Sequence, residues 1–477
     1  MRPLWILVAI IASIAIGVVL NTVHLSSQVG YWIDVVGQLY RRSVNCITLP
    51  LAFCQVVVAS SSLTSSSSLK KLWIRVGLIF ALVVVVSSSI GIILMEVMRP
   101  MMRDNTKDLG LKASHPPFAF KCPNAKFLEQ RDNGTLTCTG DSVQPNTTFP
   151  WMVDKSLALG LDEPIPSVNI SQYLFSLLDM YFPDNIFVSF AKDLSLSVCV
   201  VAMALGVAIT RSFHGAQRRG NPLLRLFLHI YSSLATMLEW VQSIALIATF
   251  PLIIGAIVKT TDLSKLLQQT QYFCLGFVIS LLIQGLVIMP AIFFLFTRRN
   301  PYSWLKEVMA PALYGFVLMN PLLPLNMATK TVLRTKEVSS PVFGAVYPVL
   351  ASLNRISFAL ALPNAVVFAA AFTECEANMD PADVMLLYAM SIVASFGDTA
   401  LSKSQWAFFM TTWRTFCPGI DIPTAMIALQ NTWLLTSRLT AFFDSMTNLM
   451  IVRMVSNVVN PPEAPAQRSA LHTAQPI

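Results

Sequence analysis

The chain has 477 residues, of which 55% are hydrophobic and 12% charged, and a formal net charge of +8; its mean hydropathy is +0.62. A soluble domain carries roughly 25% charged residues, so a water-soluble globular fold is excluded. Recurring apolar runs of membrane-spanning length make this a polytopic helical membrane protein. Its basic residues sit in short loops without interleaved aromatics, so no nucleic-acid partner is expected.

In chain order, the clearest apolar runs are 4–20, 43–60, 72–98, 194–210, 241–258, 273–296 and 358–372. They predict helices over 3–23, 43–63, 72–98, 186–211, 222–258 and 270–297. The first run follows Arg2 as a signal peptide would. It is longer than the core of a signal peptide, and no A-x-A-like site follows, so a retained helix is expected. The stretch SSSLTSSSSLKK reads as a solvated turn between the second and third helices. Lys70, Lys71 and Arg75 fill one loop, Arg211, Arg218 and Arg219 another, and Arg298 and Arg299 end a third helix. Placing these in the cytoplasm, with both termini, satisfies the positive-inside rule; Arg41 and Arg42 are the exception.

That topology puts the hydrophilic segment 99–185 outside. It contains the sequons of Asn133, Asn146 and Asn169, which predict glycosylation. Cys122 and Cys138 are the two cysteines of this segment, and a disulfide between them suits an oxidising compartment. The other cysteines lie in or beside apolar segments without metal-ligand spacing, and core packing is the reading given to them. The expected setting is a eukaryotic plasma membrane or another membrane of the secretory pathway.

From residue 305 onward the apolar segments are broken by Pro311, Pro321, Pro324, Pro341, Pro348, Pro363, Gly397, Pro418 and Pro423. Segments 305–332 and 383–416 have breakers or polar residues near their midpoints, as helix–turn–helix hairpins would. Unwound backbone at such breaks offers carbonyls and half-helix ends to substrates and ions, the pattern of a secondary transporter. Residues 347–372 raise a related question, because Asn354 and Arg355 stand in the middle of an apolar run. An intramembrane arginine costs about 2.5–3.5 kcal/mol on insertion scales and rarely faces lipid. Glu239 and Gln242 are expected to face a neighbouring helix or the interface, and Arg438 to snorkel. Lacking a metal cluster, a nucleophile–base constellation or a phosphate loop, the sequence does not read as an enzyme.

Several stretches resemble, in order, the dicarboxylate/amino acid:cation symporters, the family of the glutamate transporters. GQLYRRSVNCITLPLAFCQVVVASSSL is similar to that family's second helix. LLDMYFPDNIFVSF with SVCVVAMALGVAI resembles the connection into the fourth, WLKEVMAPALYGFV the approach to the first hairpin, and Val346-Tyr347-Pro348 the entry to the broken seventh helix. The resemblance implies an all-α polytopic fold of eight transmembrane helices and two re-entrant hairpins with inverted repeats. It also implies a homotrimer in the lipid bilayer with elevator-type motion and a small-molecule substrate. On this reading residues 1–98 hold three helices, 99–185 the outer loop, 186–297 helices four to six, 298–458 the transport core and 459–477 a cytoplasmic tail.

Against the family pattern, the chain departs at the working positions. The serine-rich tip of the first hairpin is replaced by Leu318 to Pro324, in which Asn320 is the polar side chain. The Asn-Met-Asp-Gly-Thr motif of the seventh helix becomes Asn354-Arg355-Ile356-Ser357-Phe358. In the eighth helix Ser445 and Asn448 match, Ala441 and Val452 replace two carboxylates, and Asp444 stands where the family has the arginine that selects acidic side chains. The second tip reads Gly397 to Gln405, with Lys403 and Gln405 bulky for a gate. The implied substrate site is Asn320, Arg355, Asp444, Ser445 and Asn448; Asn354 and Asn448 are the implied ion ligands, and Arg355 either pairs with Asp444 or points into an aqueous vestibule. No cofactor is expected beyond sodium ions or protons as coupling ions, with sodium disfavoured beside Arg355. The expected function is symport of a neutral or cationic amino acid. The alternative is a transport-incompetent relative acting as scaffold, receptor or anion channel.

Overall fold

The computed structural model describes residues 3–23, 27–65, 69–105, 127–130, 136–140, 170–179, 181–212, 221–260, 263–373, 375, 380–396, 405–417 and 425–456. Three long helices open the chain: α1 (Pro3–Thr22), α2 (Ser27–Ser65) and α3 (Leu69–Asn105). The second starts well before the expected residue 43. Its polar first half stays helical because Asp34 pairs with Lys259 at 2.5 Å and Gly37 lies against the backbone of Pro251 and Leu252.

Within 99–185 the described fold is not purely helical. Strands β1 (Phe127–Gln130) and β2 (Leu136–Gly140) pair antiparallel, with Leu128 opposite Cys138. Asn133, Asn146, Asn169 and Cys122 lie outside the described residues, and Cys138 is described only as backbone of β2. Helix α4 (Ile170–Asp179) leads toward the membrane domain.

The helix expected over 186–211 is two helices, α5 (Ile186–Ala191) and α6 (Ser195–Ser212). Between them Asp193 adopts φ 59°, a left-handed conformation that ends a helix. Helices α7 (Pro222–Ser243) and α8 (Ala245–Val258) meet at a 64° bend. Asn221 caps the first of them, its side chain accepting from Leu223 and Leu224 N–H. Next come α9 (Leu263–Ile283), a π turn (Gln284–Ile288) and α10 (Met289–Thr297). Pro290 has no N–H for the Leu286 carbonyl; the Tyr302 hydroxyl donates there instead, at 3.0 Å.

The rest of the chain is broken at Pro321 and Pro324, while Pro311, Pro348 and Pro363 lie inside continuous helices. Helices α11 (Pro301–Leu318) and α12 (Leu325–Arg334) form one helix–turn–helix pair. Helices α13 (Ser340–Leu353) and α14 (Ile356–Ala370) form an apolar stretch interrupted at residues 354–355. A second pair, α15 (Pro381–Ala394) and α16 (Gln405–Phe416), precedes the final α17 (Ala425–Ser456). Among the described residues six helical stretches are long and apolar enough to cross a membrane, or seven with the bent α7–α8 pair. The stretch 340–370 is one of them; α17, which carries Arg438, Asp444 and Arg453, is not.

Two packing groups emerge. Helices α1, α2, α6, α7 and α8 pack on one another, while α3, α9, α15, α16 and α17 gather around α14; α10 and α11 pack on α17, and α13 is wedged between α2 and α17. Polar contacts cross the seam along the first helix pair. The hydroxyls of Tyr40 and Tyr314 lie 2.5 Å apart, Gln55 donates to Thr329 at 3.3 Å, Asn326 to Gln242 at 3.4 Å, and Lys330 pairs with Glu239 at 2.5 Å. Glu239 and Gln242 thus face a neighbour, as their sequence positions predict.

One cysteine expectation is overturned. Cys375 and Cys417 do not simply pack in the core: they form a disulfide, with Cα atoms 5.9 Å apart. The chain folds back between them, through α15 and α16, so cysteines far apart in sequence meet at the base of the second helix pair.

Candidate transport site

The centre of the site is the interruption between α13 and α14. Asn354 leaves the helix with ψ 117° and Arg355 follows with φ −127° and ψ 44°. Its backbone polar groups are nevertheless satisfied, as burial requires. Asn354 N–H still donates to Leu350 O at 2.7 Å, and Arg355 N–H reaches across to Ser395 O at 2.9 Å. The start of α14 would leave orphan N–H groups. The Asn354 side-chain oxygen takes Ile356 N–H at 3.1 Å, and Asp444 Oδ1, arriving from α17, takes Ser357 N–H at 2.9 Å. A carboxylate at a helix N-terminus is the favourable placement of negative charge.

Asn354 and Asn448, both fully buried, are joined by a 2.7 Å bond from Nδ2 of the first to Oδ1 of the second. Beside them Ser445 Oγ and Asn448 Nδ2 are buried without a hydrogen-bond partner. Ser445 faces α11, where a Cβ on Gly315 would come within 2.6 Å of its hydroxyl. The structure therefore gathers Asn354, Asp444, Ser445 and Asn448 around the interruption. Arg355 is half-buried at the same point.

Asn320 has a more local task than the sequence implies. Its Oδ1 accepts Leu322 N–H at 2.8 Å, closing the turn between α11 and α12 in the manner of an Asx turn. Tyr347, fully buried on α13 and stacked on Phe343, fixes that turn by donating to Pro321 O at 2.8 Å. Of the second tip, residues 397–404 lie outside the described residues, and Gln405 is described only as the start of α16.

Arg438 does not snorkel; it is 5% exposed. Its Nη1 donates to Val317 O at 3.0 Å and its Nη2 to Leu252 O at 2.6 Å. Val317 lies in the last turn of α11, whose carbonyls have no helical donor, so the guanidinium caps that helix and ties it to α8. Sequence reasoning missed this role, although a guanidinium inside α17 posed the same question as Arg355. It also missed Ser357, which acts through its backbone and carries no side-chain signal, and Tyr347.

A cavity lies elsewhere. It measures 1320 Å³ and lies between α7 and the first helix pair, lined by Glu239, Lys306, Glu307, Lys330 and Arg334 among others, and by none of the residues around the interruption.

A family model described as the sodium:dicarboxylate symporter family matches residues 3–121 and 155–458. Among curated relatives, neutral amino acid transporter B(0) of Oryctolagus cuniculus is 24% identical over 435 residues, covering 88% of this chain and 73% of that protein. Neutral amino acid transporter A of Homo sapiens is 22% identical over 383 residues, 77% of this chain and 66% of that protein. The chain thus spans about two thirds to three quarters of these relatives' length. The family is one of transporters rather than enzymes, and sodium is the ion its description names. With its apolar helices, its interrupted span and a family match over most of its length, the chain belongs to the sodium:dicarboxylate symporter family.

Proposed function

We propose that this protein is a secondary carrier of neutral amino acids, with its substrate site between the first helix pair, the interruption at 354–355 and α17. The observation that carries this reading is the seating of Asp444 on Ser357 N–H. It stands where the family pattern has the arginine that selects acidic side chains, and a carboxylate there repels an acidic substrate. Already committed to a helix N-terminus, it is also a poor counter-ion for a cationic side chain. The donors left for the α-carboxylate of a zwitterion are Ser445 Oγ and Asn448 Nδ2, which have no partner within the protein. The names of the two relatives above support the same substrate class.

The finer architecture is part of this reading: α11–α12 and α15–α16 as re-entrant hairpins, an elevator-type motion of the α14 group against the α2 group, and a homotrimer in the bilayer. The termini are cytoplasmic. The Cys375–Cys417 disulfide supports that topology, because it needs an oxidising compartment and lies on the side to which charge assigns the glycosylated segment. Uptake of labelled alanine, serine, glutamate and lysine into proteoliposomes tests the reading. Alanine or serine is expected to enter; entry of glutamate alone sinks it.

A second reading, a transport-incompetent scaffold, receptor or anion channel, is favoured by one observation. Asn354, Asp444, Ser445 and Asn448 are buried, and the 1320 Å³ cavity is not lined by them. Lack of flux with every substrate would favour it.

A further inference from the structure

Three broken helix ends lie close to α17, and at each the chain supplies a charge of the opposite sign. A helix end carries about half an elementary charge, positive at the N-terminus and negative at the C-terminus. At the negative end of α11, the Arg438 guanidinium donates to Val317 O at 3.0 Å. At the positive end of α14, the Asp444 carboxylate accepts from Ser357 N–H at 2.9 Å. At the negative end of α13, the residue directly after the cap is Arg355. Discontinuous helices in carriers leave such ends to ions and substrate groups. Here they are neutralised from within.

We infer that this protein is a sodium-independent carrier: its substrate site is electrostatically complete without sodium, so it moves neutral amino acids with no sodium bound. This rests on the carrier reading above and departs from the sodium coupling that the family description names. The carboxylate inventory points the same way. Asp34 and Asp444 are the buried acidic side chains among the described residues; Asp34 is held by Lys259, and Asp444 by the α14 terminus. Among the described residues, Ile356, Ala441 and Val452 leave the surroundings of the interruption without a further carboxylate for a cation.

Two measurements on the purified full-length protein test this independently of each other. The first is thermal unfolding with sodium chloride replaced by choline chloride at constant ionic strength. The expected midpoint is the same in both salts; a saturable rise of several degrees with sodium overturns the inference. Asp444→Asn keeps an oxygen for Ser357 N–H but removes the charge, and its midpoint is expected to fall in either salt. An unchanged midpoint overturns the claim that the charge neutralises the α14 terminus. The second is exchange of labelled for unlabelled alanine across proteoliposomes with choline and equal pH on both sides. Exchange without sodium supports the inference, and exchange only with sodium overturns it while leaving the carrier reading intact. If no substrate moves with or without sodium, the carrier reading fails and sodium-independent carriage with it, while the unfolding comparison still decides whether the site is complete without sodium.

Discussion

Asn354 and Asn448 hold each other through one 2.7 Å bond between fully buried carboxamides, fastening the interrupted span to α17. Replacing one partner leaves the other with an unsatisfied buried amide, which costs about 1–3 kcal/mol. Asn448→Leu is therefore expected to lower stability by that amount. The double variant Asn354→Leu with Asn448→Leu should cost less than the sum of the single changes. Unfolding midpoints of the three variants check this, and strict additivity would show that the bond carries no coupling energy.

Arg438 is expected to be intolerant of lysine. Its planar fork reaches two carbonyls on different helices, a geometry that a single ammonium does not reproduce. Arg438→Met should cost about 3 kcal/mol through the loss of charged hydrogen bonds, and Arg438→Lys should recover less than half of it. Thermal unfolding of both variants gives the comparison directly.

The disulfide predicts a redox-dependent stability. Cys375 and Cys417 are 42 residues apart, and cross-linking a loop of that length stabilises by about 4 kcal/mol in the chain-entropy picture. Cys375→Ser, or reduction of the wild type, should lower the unfolding midpoint by similar amounts. A membrane-impermeant reductant added outside intact cells should release both thiols to alkylation, readable by mass spectrometry. Release only after permeabilisation would contradict the topology proposed here.

Two glycines on long helices should respond oppositely to alanine. A Cβ on Gly206 of α6 would run into Ser60 Oγ and the Val57 carbonyl of α2, whereas Gly77 of α3 has nothing within 4 Å. Gly206→Ala is expected to destabilise by about 1–3 kcal/mol through overpacking, and Gly77→Ala to be neutral or stabilising by up to about 1 kcal/mol. Measured melting midpoints of the pair separate crowding from helix propensity.

Helix positions were readable wherever a run was long and apolar, because burial in lipid imposes a simple length rule. The α2 start was not, since its polar first half is held by tertiary contacts of Asp34 and Gly37 that no local pattern announces. The break in the fourth predicted helix escaped for a different reason: the left-handed conformation that ends α5 falls on Asp193 rather than on the glycine that usually marks such a stop. Asn354 and Arg355 in an apolar run did announce the interruption at 354–355, and the family motif brought Asn354, Asp444, Ser445 and Asn448 to one place. What the Asp444 carboxylate does there depends on a backbone N–H, which every residue but proline carries, so composition is silent about it. Asn320 was read as a ligand by residue type alone; its oxygen closes its own turn.

The π turn at Gln284–Ile288 has a consequence for chain length. A wide turn holds one residue more than the α spacing needs, and each residue in an α-helix turns the chain by about 100°. Deleting one residue inside 284–288 would relax that turn and leave Met289, Ile292 and Phe293 of α10 buried as they are now. The same deletion within α9 would swing that buried face toward lipid. The membrane domain thus carries one place where the chain can lose a residue without re-registering the helix beyond it.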